Sequence, residues 1–196
     1  RKGPKKMVLA RLRKLTSTVC PGEACWVSRP FVRANRTAKS ILASAHRPTA
    51  PRAWLNNPKE WLTNEDIDQV MHQYEAIYPH FAYLGASPID FDSRPRDRSD
   101  KCVWTKLCDL SIAAELRNGK TEMAVILNAD PHYKEGSHWM ALFINLSQRY
   151  IFYFDSTGDP MPGQVKRLIS RLTSEAQSLG LHLEVIENKT KHQRQN

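Results

Sequence analysis

Two residues able to do acid–base chemistry stand at the outer ends of two apolar runs. His138 opens "HWMALFINL" and Asp155 closes "YIFYFD". Between the runs lie only Ser147, Gln148 and Arg149, so an antiparallel hairpin is the simplest connection. A two- or four-residue loop centred between Leu146 and Ser147 would set His138 directly opposite Asp155, with Cβ atoms roughly 5 Å apart on one face. A carboxylate that accepts the proton of one ring nitrogen fixes the tautomer and stabilises the imidazolium formed when the other nitrogen takes a proton. A His–Asp pair that merely caps two strands is the structural alternative. The small neighbours Gly136, Ser137, Ser156, Thr157 and Gly158 leave room for a substrate backbone and favour chemistry.

The partner for such a base is harder to find. No G-x-S-x-G elbow occurs, Ser137 precedes the histidine, and Ser156 is expected on the opposite face from Asp155. A metal site built from Asp130, His132, His138 and Asp155 has no H-E-x-x-H or comparable spacing, and neither a metal nor a cofactor is expected.

These residues need a frame. Thr63 with Asp66 three residues on reads as a capping box, and Ile67, Val70, Met71, Tyr74 and Ile77 then follow a helical stripe. "GASPIDFD" reads as loop. "CVWTKLCDLSIAAELRNGK" reads as a helix ended at Asn118-Gly119, or as the first arm of a hairpin turning there. "TEMAVILNAD", "HWMALFINL" and "YIFYFD" read as strands of a covered sheet. Pro160 opens a helix with Val165, Leu168, Ile169, Leu172, Ala176 and Leu179 on one face, stopped by Gly180, and "LHLEVIEN" is a fourth strand. The order predicts an α+β domain.

The net charge of +9 is unevenly placed. Residues 1–52 hold 13 Lys/Arg against Glu23, or +12, whereas residues 53–196 come to −3. The expected organisation is therefore a basic, proline-containing arm over 1–52 and a domain over 53–196. Such an arm suits DNA or an acidic protein, or stays solvated. "KKMVLARLRKL" within it has a short helical pattern. No apolar run reaches about 18 residues and no leader pattern opens the chain, so neither a membrane span nor a signal peptide is expected. Cys20, Cys25, Cys102 and Cys108 are expected as reduced, buried side chains, with none of the three pairings dictated by the sequence.

"GSHWMALFI" followed by "IFYFDSTG", a helix, a strand and "NKTKHQRQN" resembles the ubiquitin-like-specific (SUMO-protease) and adenain superfamily of cysteine peptidases. "WLNNPKEWLTNEDIDQVMHQYE", "GASPIDFD" and "NADPHYKEGSHW" are similar to its Ulp-type members from large nucleocytoplasmic DNA viruses. The resemblance covers about residues 20–196. It implies a papain-like, adenain-like fold with a small mixed sheet and packed helices. It implies His138 as general base, Asp155 as its orienting group and Gln193 as an oxyanion donor, with Gln195 a local competitor for that place. The family's nucleophilic cysteine comes six residues after the glutamine, so a domain cut before its nucleophile, and inactive as it stands, is expected here. Trp139 would shield the histidine, and Trp54 to Trp61 would belong either to the substrate cleft or to an aromatic anchor. The implied partner is a protein substrate, a viral polyprotein or ubiquitin-like precursor cut after small residues, in the virion and the infected-cell cytoplasm. The alternative is an inactive or structural protease-fold virion component that binds nucleic acid or capsid proteins through the arm.

Overall fold

The computed structural model describes residues 48–57, 59–95 and 101–193. Most of the basic arm, with Cys20, Cys25 and the "KKMVLARLRKL" stretch, lies outside the described residues, as does Gln195. Residues Thr49–Asn196 form one compact unit.

In chain order this unit runs α1 (Arg52–Asn56), α2 (Asn64–Ile77), β1 (Phe81–Pro88), α3 (Thr105–Cys108), α4 (Ile112–Arg117), β2 (Glu122–Asn128), β3 (Trp139–Asn145), β4 (Tyr150–Asp155), α5 (Gly163–Ser178) and β5 (Glu184–Glu187). The five strands make one mixed sheet in the order β1-β2-β3-β4-β5. The outer pairs are parallel and the inner pairs antiparallel. Helices between β1 and β2, and α5 between β4 and β5, supply the crossovers that parallel pairs require.

The α2 start is the expected one. The Thr63 hydroxyl accepts from the Asp66 N–H at 3.1 Å, and the Asp66 carboxylate accepts from the Thr63 N–H at 3.2 Å. Ile67 is buried while Met71 and Tyr74 pack on the sheet face made by Phe81, Tyr83 and Ala124. α5 begins at Gly163, three residues later than Pro160 suggested, with Pro162 as N-cap. Val165, Leu168, Ile169, Leu172 and Ala176 cover the other face of the sheet, against Met123, Val125, Leu142, Ile151 and Tyr153. Full burial of side chains of this size is worth about 1.5–3 kcal/mol each. Leu179, expected on the same stripe, is 44% exposed because the helix has already closed.

Two readings change. Phe81–Pro88, in part assigned to loop, is the edge strand β1. Seven of its eight residues are buried, so it shows no alternation. Gly85, at φ +99°, interrupts the register with β2 between Tyr83 and Ala86. A Cβ there would come within 2.5 Å of the Trp104 ring, whose indole N–H donates to the Leu84 carbonyl at 2.8 Å. The glycine thus marks where an indole packs closely against a strand, not where the chain turns. The stretch after Lys101 is helical as first read, but as two short helices. Cys102 and Cys108 are joined in a disulfide and not reduced, because α3 brings their Cα atoms to 6.5 Å, within bridging reach.

Candidate active site

β3 and β4 are the hairpin expected, but in a different register. The loop is Leu146 to Arg149, with Arg149 at φ +62°, and Met140, not His138, is the residue opposite Asp155. The shift equals two residues. An even shift preserves the face, so His138, two positions before Met140, lies diagonal to Asp155 within reach of an imidazole. The side chains meet: His138 Nε2 is 2.7 Å from Asp155 Oδ1. The His138 carbonyl accepts from the Ala129 N–H at 2.8 Å, which extends the β2–β3 ladder by one rung and fixes the backbone of His138.

Asp155 is 2% exposed and collects its donors on a single oxygen. Oδ1 accepts from the Thr157 N–H at 2.8 Å and from His138, and it shares the proton of the Thr157 hydroxyl, at 2.7 Å, with Asp159 Oδ2 at the same distance. Burial alone would raise its pKa; the two Thr157 hydrogen bonds, then the bond and charge of His138, outweigh burial and hold the carboxyl below its ordinary value. The group is therefore an anion at neutral pH. With Nε2 engaged, Nδ1 is the ring nitrogen left for proton transfer.

Gln193 enters from the far end of the chain. After β5, Asn188 donates from Nδ2 to the Asp155 carbonyl at 2.7 Å and to the Thr190 carbonyl at 2.9 Å, and its Oδ1 accepts from the Thr190 N–H at 3.1 Å. Gly158, at φ +74°, lies against this segment: a Cβ would stand 3.1 Å from the Lys189 carbonyl oxygen and 3.2 Å from the Lys191 nitrogen. The segment ends with Gln193 hydrogen-bonded to Ser156. His138 and Gln193, with Ser137, Ser156, Trp139, Leu62 and Trp61, line one cleft of about 340 Å³. The Trp139 indole donates to the Leu62 carbonyl at 3.1 Å, and Trp61, 75% exposed, stands at the rim. We expect Gly158→Ala to cost about 1–2 kcal/mol from left-handed strain alone, read as a lower urea midpoint, and to loosen Gln193 through the 189–191 contact. An unchanged midpoint would mean that this contact constrains nothing.

The other candidates disperse. His132 turns to Asp90, with Nδ1 at 2.7 Å from Oδ2, and Asp130 accepts from the Ser137 hydroxyl and lies 3.7 Å from Lys134 Nζ. Asp130 and His132 are thus committed to partners outside the His138–Asp155 pair. Cys102 and Cys108, in their disulfide, offer no thiol. Trp54 lines an apolar groove with Leu62 and Trp139 and not the cleft of His138, whereas Trp61 lines the cleft itself. The reading of the residues missed the hydrogen bonds of Thr157 and Asn188 to Asp155. Ser156, the first residue past the end of β4, lines the cleft. For Thr157 a signal existed: Asp-x-Thr at a strand end permits the side-chain-to-backbone turn seen here.

Residues 123–193 match the Ulp1 protease family, C-terminal catalytic domain. A protein of Acanthamoeba polyphaga mimivirus named a thiol protease is 30% identical over 160 residues, 80% of this chain and 49% of its own length. A cysteine protease of African swine fever virus is 27% identical over 178 residues, 87% of this chain and 65% of its own length. The chain thus spans about half of one relative and just under two thirds of the other. The crystal structure of an African swine fever virus protease superposes with a TM-score of 0.60 at 22% identity, over 100% of this chain and 74% of that one. The expected fold, α+β with helices packed on a small mixed sheet in the manner of these proteases, is the fold observed. Residues 123–193, the stretch that matches the C-terminal catalytic domain of the Ulp1 protease family, carry His138, Asp155, Gln193 and the strands that set them.

Proposed function

We propose that the protein is a cysteine endopeptidase in which His138 is the general base, Asp155 orients it and Gln193 donates to the oxyanion. The observation that carries this is the 2.7 Å contact of His138 Nε2 with a buried Asp155, in one cleft with Gln193. The nucleophile is a thiolate supplied six residues after Gln193, at the family's spacing. His138 Nδ1 takes the thiol proton, the thiolate adds to a peptide or isopeptide carbonyl, and the imidazolium returns the proton to the leaving amine as the thioester forms. Water then hydrolyses the thioester by the same base. Gln193 Nε2 and a backbone N–H hold the oxyanion of each tetrahedral intermediate.

A cleft lined by Trp61, Leu62 and Trp139 suits a substrate backbone with small residues at the scissile bond. We take the substrates to be viral polyprotein or ubiquitin-like precursors cut at Gly-Gly-X, in the virion and the infected-cell cytoplasm. The test is cleavage of a Gly-Gly-X peptide by the full-length protein with and without prior alkylation of its thiols. Cleavage abolished by alkylation is expected; cleavage that survives it would sink the thiolate mechanism.

The second reading, a structural virion component held to nucleic acid, is favoured by one observation, the +12 charge of residues 1–52. If phosphates are the arm's partner, DNA affinity falls by orders of magnitude between 50 and 200 mM salt, since each neutralised phosphate adds about −0.9 to the log–log slope. A flat salt response in fluorescence anisotropy would reject it.

A further inference from the structure

Ser156 follows Asp155 directly and lines the same cleft as His138 and Gln193. Three hydrogen bonds join it to the end of the described chain. Its carbonyl accepts from the N–H groups of His192 and Gln193, both at 2.8 Å. Its hydroxyl donates to Gln193 Oε1 at 2.7 Å. A glutamine amide has an acceptor end and a donor end, and only the donor end serves an oxyanion. An exposed glutamine that is held by its backbone alone would divide its time between the two orientations and many rotamers.

Resting on the catalytic reading above, we propose that Ser156 is a positioning residue for Gln193. By engaging Oε1 it leaves both Nε2 protons to the cleft, so the oxyanion donor is oriented before the tetrahedral intermediate forms. The design is economical in its attachment points. The backbone clamp sets where Gln193 sits, and the hydroxyl sets which end of its amide faces the substrate. Replacing Ser156 by Ala removes only the second of these, because the carbonyl remains. A donor that must be reoriented during reaction stabilises the transition state less, while ground-state binding is untouched, so the loss falls on kcat and not on KM.

The experiment is a double-mutant cycle in the full-length protein, read as kcat and KM on a Gly-Gly-X peptide, with thermal melting of each variant as the folding check. Gln193→Ala is expected to lower kcat about 10²- to 10³-fold, the usual cost of one oxyanion donor. Ser156→Ala is expected to lower kcat about 3- to 10-fold, the worth of one neutral hydrogen bond, with KM unchanged. The double variant should be no slower than Gln193→Ala, and Ser156→Thr, which keeps the hydroxyl, should restore most of the rate. Additive losses, a loss carried by KM, or a Thr variant as slow as the Ala one would overturn the proposal. A neutral Ser156→Ala beside an impaired Gln193→Ala would overturn the positioning role alone. A neutral Gln193→Ala would overturn the oxyanion role and this proposal with it.

Discussion

His138→Ala in the full-length protein should reduce kcat/KM on a Gly-Gly-X peptide by on the order of 10⁴-fold, through kcat. Among the described residues His138 is the only histidine lining the cleft with Gln193, and in the proposed mechanism its Nε2 contact to Asp155 leaves Nδ1 to carry the proton at both chemical steps. Without it the thiol must ionise unaided and the amine must leave unprotonated. The fold should survive, because Asp155 Oδ1 keeps both Thr157 donors and the lost hydrogen bond is worth about 1.5–3 kcal/mol as a charge-assisted one. The molecule contains its own control. His132 forms a second His–Asp pair, with Asp90 at the same 2.7 Å but through Nδ1 and off the cleft. His132→Ala should therefore leave the rate within about twofold, since a surface pair of this kind is worth little. A His138→Ala enzyme that cleaves normally would remove the assignment of the base. Loss of activity in both variants would point to damage of the whole 128–138 loop instead.

The contrast between these two pairs shows what the sequence can and cannot carry. His138 and Asp155 were legible because period-two strands fix faces and a short polar gap fixes a hairpin. The register itself was not, and only parity saved the pairing: the loop sits one residue further along than its symmetric placement, which moves the opposed partner by two and preserves the side. His132 with Asp90 was invisible, since the partners come from two loops 42 residues apart that no local pattern relates. The same limit hid β1. A strand buried on both faces and broken by Gly85 has neither alternation nor continuity, and the glycine is explained only by the distant ring of Trp104. Amphipathic helices, by contrast, write their own face and caps into neighbouring residues. That is why α2 and α5 were placed to within a turn, while Asn188, which ties the Gln193 segment to Asp155 through long-range contacts, was not found at all.

Asp155 offers the second large effect, and its three donors make the test unusually selective. Because Thr157 N–H, Thr157 hydroxyl and His138 Nε2 converge on Oδ1, an asparagine whose carbonyl oxygen takes that place keeps every contact and loses only the charge. An alanine loses both. Asp155→Ala should then lower kcat/KM by about 10³- to 10⁴-fold, as when an orienting carboxylate no longer holds its imidazole. Asp155→Asn should cost about 10- to 10²-fold, the difference between a charged and a neutral acceptor. Stability gives an independent check. The folded carboxyl titrates below its ordinary value, so it binds fewer protons than the unfolded group at mildly acid pH. Its stabilisation is fully present above the unfolded pKa of about 3.9 and is lost as pH falls through the folded value. Urea unfolding followed from pH 6 downward should therefore show a steeper acid loss for the native protein than for Asp155→Asn. Equal slopes would mean that the carboxylate gains nothing from Thr157 and His138, and equal activity of the Asn and Ala variants would mean that charge, and not the fixed acceptor, is what His138 requires.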